Sequence, residues 1–393
     1  MKKVLVLAGD ADHNLGDAAI FQSLCCALRT AQDDIQITSV GEIGGPASQN
    51  ETVSIPRGAK GFPRLLKCAR GQDLVIIGGG GLLQDDDSRI KMPYWALRTA
   101  LMRSLSARVA GYCLGAGPLT HRDSQLFARW ACASMHSVSV RDAFAQSWLQ
   151  RCTSRRVTLV PDPAFMLQAS SADRATQIVT EAGLRPGRLI GVALRRWFHT
   201  RGGWLPHKMR VKFGLDRGVG WMHMSMFVKQ LATSLEKLSK QLDCGILLMP
   251  SYDLAHEGDV TACRSLAAEL NGKVPTGFAL IRSASDYKAV AGAVTLMVSA
   301  RMHPLIFAAS MGTPVIGLPY NGKFGGLFDL LGLPRRLVWM DEFKSRDPGD
   351  QIFQLAREAL EDSTDLRARA NELAGVTRTY TARLLNDALP DAG

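Results

Sequence analysis

Short apolar segments recur along the chain, and each is followed by Gly, Asp or Pro and then by a stretch with helical spacing. Because these segments are continuous rather than alternating, they are typical of parallel strands that helices cover on both faces. The pattern predicts strands at residues 4–9, 74–81, 109–117, 138–142, 157–163, 189–195, 244–250, 294–303, 313–320 and 336–340. Helical spacing predicts helices at 18–31, 123–136, 226–242, 259–270 and 304–311, with more in 349–388. Strands and helices in alternation predict a doubly wound α/β protein.

The two sets of strands are separated by a polar stretch with Pro and Gly around residues 168–187. We therefore predict two Rossmann-like domains and a C-terminal helical segment, with bounds at 1–170, 171–348 and 349–393. Two such domains face a cleft, and open parallel sheets bind ligands beyond the carboxyl ends of their strands. The residues that directly follow each strand are therefore the candidate site.

Two segments of the N-terminal half qualify. Asp17 immediately precedes the helical sequence AAIF, so an N-cap and a functional carboxylate both fit it. The four glycines at 78–81 follow the second predicted strand, where their N–H groups could form an anion nest or a tight turn. The segment that follows the first predicted strand lacks the GxGxxG spacing of a dinucleotide site.

The C-terminal half places cations after several strands. Strand alternation predicts Ser299, Arg301 and His303 on one side, beside the start of a helix that attracts anions. Arg195 ends one predicted strand, and Lys323 follows another. Cations at neighbouring strand ends predict a site for a small polyanion.

The formal net charge of +11 fits nucleic acid, an anionic membrane or an acidic substrate as the partner. The excess comes from residues 57–70 and 195–217, and the rest of the chain is balanced. In 57–70 the cations follow helical spacing, and another face carries Phe62, Leu65, Leu66 and Ala69. Contact with an anionic membrane and a merely solvated helix both fit this pattern. Because no nucleic-acid recognition motif is present, we expect no nucleic-acid partner.

The chain has no apolar run long enough for a membrane span and no signal-peptide pattern at its start. Its eight cysteines lack CxxC spacing and lie in apolar or helical segments. These features predict a cytoplasmic protein with reduced cysteines, at the inner face of the membrane if the basic helix contacts it.

Several motifs, taken together, resemble the polysaccharide pyruvyl transferase family. They are NLGDAAI, GGGGLLQD, VRD at 140–142, PDPAF at 161–165, and SARMH followed by GLPYNGK, spread over residues of about 9–330. The resemblance implies the glycosyltransferase-B fold of two Rossmann-like domains. It also implies transfer of pyruvate from phosphoenolpyruvate to two sugar hydroxyls of a cell-wall glycan or exopolysaccharide. The product is a cyclic ketal, and phosphate is released. A glycosyltransferase of the same fold that uses a nucleotide sugar is the alternative.

The resemblance also implies roles for the candidate residues. Phosphoenolpyruvate would be held by Arg195, Arg301, His303 and Lys323. His303 would be the general acid, and Asp17 the general base on the acceptor hydroxyl. The candidate acceptor or backbone contacts are Asn14, Gly79, Gly80 and Gln84. No metal or separate cofactor is expected, because the cations neutralise the phosphate.

Residues 196–225 depart from the family pattern and carry tryptophans among cations. This insertion is expected to select the acceptor, which is lipid-linked if the enzyme works at a membrane, or to contact the membrane itself. A solvated insertion without either role also fits.

Overall fold

The fold contains two parallel β-sheets. The computed structural model describes residues 2–41, 52–58, 60–86, 88–106, 108–196, 205, 209–210, 213, 219–254 and 257–388. Every strand pairing in both sheets is parallel, as the continuous apolar runs predict.

The N-terminal sheet has the strand order β3-β2-β1-β4-β6-β7-β8, and β5 pairs with β6. Its strands are β1 (Lys2–Leu7), β2 (Ile35–Val40), β3 (Thr52–Ile55), β4 (Leu74–Gly78), β5 (Gly81–Leu83), β6 (Arg108–Ala116), β7 (Ser137–Val140) and β8 (Val157–Leu159). The helices that follow these strands are α1 (Leu15–Ala31), α2 (Phe62–Ala69), α3 (Lys91–Leu105), α4 (Arg122–Ala133) and α5 (Ala143–Cys152).

Alternation along β1 shows how these helices divide between the two faces of the sheet. Val4 and Val6 are buried in the same apolar cluster as α1. Leu5 and Leu7 are buried in a second cluster with residues of α2, α3, α4 and α5. Since successive strand residues point to opposite faces, α1 covers one face and the other four helices cover the opposite one.

The C-terminal sheet has the order β11-β10-β9-β12-β13. Its strands are β9 (Leu189–Ala193), β10 (Gly245–Leu248), β11 (Thr276–Phe278), β12 (Leu296–Ser299) and β13 (Val315–Gly317). The accompanying helices are α6 (Ala172–Glu181), α7 (Val219–Leu242), α8 (Asp259–Leu270), α9 (Ala284–Ala293), α10 (Met302–Ser310), α11 (Lys323–Leu330), α12 (Gly349–Glu361) and α13 (Leu366–Ala388). Short 3-10 helices lie at Pro163–Met166 and Met340–Lys344.

The helix α13 returns from the C-terminal domain to the N-terminal one, where it packs against α1 and the turn Pro163–Met166. The hydroxyl of Thr377 donates to the carbonyl of Pro161 at 2.9 Å. The hydroxyls of Tyr112 and Thr381 lie 2.6 Å apart in the interior. One continuous apolar cluster contains residues of α1, α10 and α13, so the domains share buried packing.

The predicted strand 294–303 is too long. The strand β12 ends at Ser299, whose hydroxyl accepts a hydrogen bond from the N–H of Arg301 at 2.9 Å. This side-chain bond turns the backbone, so Arg301 becomes the N-cap of α10 and His303 lies in its first turn. The prediction that these residues alternate along one strand is therefore wrong.

The predicted strand 336–340 is also wrong, because Leu337 makes only a single bridge to Gly317 before the chain forms a 3-10 helix. The short strands β2, β3, β5 and β11 were not predicted, nor was the helix α3. Ile90, at the N-cap of α3, makes no side-chain capping bond, and the first turn has no acid. The usual sequence signals of a helix start are therefore missing there.

The eight cysteines are all free. In the part of the chain that the structure describes, no helix combines the length and apolarity that crossing a bilayer requires.

We predict that the two partners of the hydrogen bond between Tyr112 and Thr381 contribute unequally to the free energy of unfolding. Thr381 donates to the carbonyl of Thr377 at 2.8 Å, so the hydroxyl of Tyr112 is the donor in their shared bond. Thr381→Val leaves the buried hydroxyl of Tyr112 without an acceptor and should lower the free energy of unfolding by about 1–3 kcal/mol. Tyr112→Phe should cost less, because Thr381 keeps its bond to Thr377.

Urea unfolding followed by circular dichroism measures these changes. The double variant Tyr112→Phe/Thr381→Val should be destabilised by less than the sum of the single variants, because both partners of the bond are gone. Additive effects, or an unchanged Thr381→Val, would contradict the assignment.

Candidate functional site

A cleft of about 420 Å³ lies between the carboxyl ends of the two sheets. Most of the residues predicted from strand ends line it. They are Asn14, Asp17, Gly80 and Gln84 from the N-terminal domain and Arg195, Arg301, His303 and Lys323 from the C-terminal domain. The two sheets thus bring together residues that are up to about 300 positions apart in the sequence.

The start of α1 holds Asp17 in a fixed position. The N-cap is Asn14, whose side-chain oxygen accepts from the N–H of Gly16 at 3.0 Å, so the capping role considered for Asp17 is wrong. Asp17 lies in the first turn, buried, and its carboxylate accepts from the N–H of Asp10 at 2.8 Å and from Asn14 Nδ2 at 3.2 Å. Capping is thus satisfied by a neighbour, and the carboxylate of Asp17 lines the cleft.

Glycines allow the backbone to approach this carboxylate. A methyl group added at Gly9 or Gly80 would lie 2.5 or 2.6 Å from an oxygen of Asp17, closer than packing permits. Gly79 does not line the cleft, and its N–H donates to the carbonyl of Tyr112 at 3.2 Å. Of the two glycines predicted as ligand contacts, only Gly80 therefore borders the cleft, and Gly79 supports the turn.

His303 reaches across the cleft to the N-terminal domain. A methyl group added at Gly16 would lie 1.8 Å from Nδ1 of His303, so the ring packs directly on the backbone of α1. Nε2 of His303 lies 3.7 Å from Oδ2 of Asp162, within ion-pair range. Burial alone would raise the pKa of Asp162, but His303 and Arg141 outweigh it and hold that pKa below its usual value. The imidazole therefore has an ionised carboxylate beside it.

Arg141 and Asp162 lie in the VRD and PDPAF motifs, and the sequence alone predicts no role for either. Nη1 of Arg141 donates to Asp162 at 2.9 Å, and both side chains are buried. Arg141 directly follows β7 and lines the cleft. The rule that functional residues follow strands missed it, because the predicted strand 138–142 includes Arg141, whereas β7 ends at Val140.

Arg301 is held by two carboxylates. Its Nε donates to both oxygens of Asp259, at 3.1 and 3.0 Å, and its Nη2 donates to Glu257 at 2.9 Å. Its guanidinium also lies 5.4 Å from the ring centroid of Tyr252. The charge of Arg301 is thus largely balanced by the protein, and its position is fixed.

Tyr320, which was not predicted, organises the other two cations. The guanidinium carbon of Arg195 lies 4.3 Å from its ring centroid, and Nζ of Lys323 lies 4.5 Å from it. Nζ of Lys323 also donates to the hydroxyl of Tyr320. Burial would raise the pKa of Tyr320, but Arg195, Lys323 and Arg301 together lower it to about 8. The hydroxyl is therefore an unusually acidic group in the centre of a cationic cluster.

The helix α3 forms the outer wall of the cleft and was also missed. Its lining residues are Lys91, Tyr94, Trp95 and Arg98. The guanidinium of Arg98 lies 5.6 Å from the ring centroids of both Tyr94 and Trp95. Arg57, from the first basic segment, lines the same cleft and pairs with Asp12 at 2.9 Å. This wall therefore combines aromatic rings with cations.

Much of the predicted insertion 196–225 lies outside the described residues, so its expected role stays a prediction. Among the described side chains, no three His, Cys, Asp or Glu residues are grouped as ligands for a metal ion.

Solved structures show the same fold over almost the whole chain. The UDP-GlcNAc 2-epimerase from Methanocaldococcus jannaschii is 10% identical, with a TM-score of 0.60 over 97% of this chain and 99% of that one. A putative UDP-N-acetylglucosamine 2-epimerase from Listeria monocytogenes is 13% identical, with a TM-score of 0.61 over 99% and 96%. Anabaena HepE in complex with UDP and glucose is 13% identical, with a TM-score of 0.57 over 99% of both chains.

These neighbours have two Rossmann-like domains in the glycosyltransferase-B arrangement, which confirms the predicted fold. No curated protein matches the sequence. The family model described as polysaccharide pyruvyl transferase matches residues 14–322, which contain both the Asp17 and the His303 sides of the cleft.

We predict that Tyr320 ionises well below an ordinary tyrosine, whose pKa is about 10. The chain has six tyrosines, and burial raises the pKa of four others, Tyr112, Tyr252, Tyr287 and Tyr380. The near-ultraviolet absorbance of tyrosinate should therefore rise in a single early step with a midpoint of about 8.

Tyr320→Phe should remove this step, and Lys323→Gln should move it to higher pH because one stabilising cation is lost. A step that persists in Tyr320→Phe, or a midpoint near the ordinary value, would show that the cations do not act on Tyr320 as described.

Proposed function

Because this chain belongs to the polysaccharide pyruvyl transferase family, we propose that it transfers pyruvate from phosphoenolpyruvate to two hydroxyls of a sugar in a cell-surface glycan or exopolysaccharide. The products are a cyclic ketal and phosphate. The observation that carries this proposal is the pairing of a cationic cluster on one wall of the cleft with the Asp17 carboxylate on the other. The first suits an anionic donor, and the second suits an acceptor hydroxyl.

The donor carries a carboxylate and a phosphate, and both need positive partners. In this proposal Arg195 and Lys323 bind them, because both cations lie within 4.5 Å of the ring centroid of Tyr320 and line the cleft. Arg301, held by Asp259 and Glu257, is the rigid member of the donor site. A neutral Tyr320 hydroxyl leaves the cations available to bind the donor, whereas a Tyr320 phenolate would compete with the donor for these cations.

His303 is proposed as the general acid. It gives a proton to the methylene carbon of the donor, which becomes a methyl group, and positive charge develops at the neighbouring carbon. The ionised Asp162 offsets the charge of the imidazolium, and Gly16 fixes the ring. Asp162 is thus a positioning residue, because it acts through His303.

Asp17 is proposed as the base for the first acceptor hydroxyl, whose oxygen attacks the cationic carbon. The carbon–oxygen bond to phosphate then breaks, and phosphate leaves with the electron pair and takes the proton from Asp17. The second hydroxyl closes the ring and returns its proton to His303. The proton of the second hydroxyl thus restores the one that His303 gave to the methyl group. The proton of the first hydroxyl leaves with phosphate. Asn14 and Gly80 support Asp17 in this role, and Gln84 lies on the acceptor side.

We predict that His303→Ala abolishes most of the activity. Loss of a general acid should reduce phosphate release from phosphoenolpyruvate by about 10²–10⁴-fold. Release is measured in the presence of a panel of glycans, and mass spectrometry detects the added pyruvate. The matched control is His136→Ala, which lies at the amino end of β7, away from the carboxyl ends that form the cleft, and should keep full activity. Unchanged release in His303→Ala would contradict the assigned role.

We also predict that Arg195 and Lys323 determine donor affinity. Since a charge-assisted hydrogen bond contributes about 1.5–3 kcal/mol, Arg195→Gln and Lys323→Gln should each weaken phosphoenolpyruvate binding about ten- to hundredfold. Calorimetric titration measures the affinity, and Arg185→Gln, an exposed arginine outside the cleft, is the control.

The same titration tests the nucleotide-sugar alternative, because solved structures of this fold have been determined with UDP and with UDP-glucose. Tight binding of a nucleotide sugar together with no binding of phosphoenolpyruvate would favour a glycosyltransferase and overturn the proposal.

A further inference from the structure

The outer surface of the N-terminal domain exposes an unusual set of apolar side chains. The helices α2, α3 and α4 cover the same face of the sheet, with their inner residues in one apolar cluster. Their outer sides carry large apolar residues that are between 43% and 66% exposed: Phe62, Ile90, Tyr94, Leu97, Leu126 and Trp130. On α3 these residues recur at helical spacing and form one stripe. We call the outer side of these three helices the basic helix face.

The charge of this face is almost entirely of one sign. The helices α2, α3 and α4 contain one acid, Asp123, which pairs with Arg89 at 2.6 Å. Their cations are Arg64, Lys67, Lys91, Arg98, Arg103, Arg122 and Arg129. When charge is summed along the sequence, the excess falls in 57–70 and 195–217, because acids in other segments balance the cations of α3 and α4. In three dimensions, those acids do not lie on these helices.

The basic helix face also borders the cleft. Lys91, Tyr94 and Arg98 line the cleft from α3, and Tyr94 and Leu97 lie on the exposed stripe of the same helix. The exposed apolar stripe therefore continues into the wall of the proposed active site. A surface that binds here would lie at the mouth of the cleft.

We propose that the basic helix face docks on an anionic lipid bilayer. The cations would contact the headgroups, while the apolar side chains enter the interface between headgroups and acyl chains. A second copy of the chain fits less well, because it would bring its own cations against this face. Nucleic acid would match the charge but would leave the apolar stripe without a partner.

The docking extends the contact considered for residues 57–70 to three helices. In α2, Leu65 and Ala69 are buried against the sheet and do not face outward, so α2 alone presents only Phe62 as a large exposed apolar side chain. The stripe on α3 and the exposed Leu126 and Trp130 of α4 supply the further apolar side chains. If the proposed reaction holds, the acceptor is a sugar carried on a membrane lipid, and this consequence alone rests on the proposed function.

Vesicle sedimentation with the full chain and no substrate tests the docking. The protein should pellet with vesicles of phosphatidylcholine that contain about 30% phosphatidylglycerol, and should stay in solution with phosphatidylcholine alone. Binding should weaken as salt is raised from about 0.1 to 0.5 M, because screening reduces the attraction between cations and headgroups. Equal binding to both kinds of vesicle, or no binding to either, would overturn the proposal.

Two pairs of matched variants locate the contact. Leu97→Glu should lower the bound fraction at least fivefold, whereas Val376→Glu, an exposed apolar residue on α13, should not. Arg64→Gln/Lys67→Gln should lower it similarly, whereas Arg185→Gln/Arg188→Gln, which changes the net charge equally at exposed positions of the other domain, should not. Equal losses in test and control variants would show that net charge, not this face, causes binding. Circular dichroism confirms that each variant is folded.

Two further measurements test the other possible partners of this face, a second copy of the chain and nucleic acid. A dimer by light scattering that Leu97→Glu dissociates would assign the face to a second copy. Binding of a DNA duplex that Arg64→Gln/Lys67→Gln weakens and Leu97→Glu does not would assign it to nucleic acid. Either result, without vesicle binding, overturns the proposal. Because no substrate is present, failure of the docking leaves the proposed reaction standing, and failure of the reaction leaves the docking measurable.

Discussion

The candidate site depends on the close packing of the His303 ring against the first turn of α1. Gly16 leaves no room for a side chain there. The next residue is Asp17, so the packing of His303 on Gly16 brings together the two groups proposed to move protons, which come from different domains. The start of α1 is also tied to the C-terminal domain by the N–H of Leu15, which donates to the carbonyl of Ser251 at 3.1 Å. The chemistry therefore requires a fixed relation between the domains, and the shared apolar cluster supplies it.

Parallel packing made much of this architecture predictable. Buried parallel strands produce continuous apolar runs, and their carboxyl ends converge, so Arg195, His303 and Lys323 could be selected without any structure. The prediction failed where local signals are weak or where side chains redirect the backbone. The helix α3 starts without a capping side chain, and the hydroxyl of Ser299 ends its strand before Arg301. Tyr320 could not be assigned a role, because its acidity arises from three cations that meet only in the folded chain.

Charge illustrates the same limit. Net charge along a sequence sums residues that are neighbours in the chain, whereas a partner meets residues that are neighbours on a surface. Arg301 is a cation in the sequence but is balanced by Asp259 and Glu257 in the cleft. Lys91 and Arg98 belong to a segment that acids elsewhere offset, yet no acid lies on their helix. Function follows from the spatial distribution.

The return of α13 to the N-terminal domain has a consequence for how the protein is made. Tyr112 is buried in the first domain, but its hydrogen-bond partner Thr381 is 269 residues further along the chain. Until α13 has been synthesised, the hydroxyl of Tyr112 lacks this partner, and the contacts between α13 and α1 cannot form. The packing of the N-terminal domain described above is therefore complete only after α13 has been synthesised.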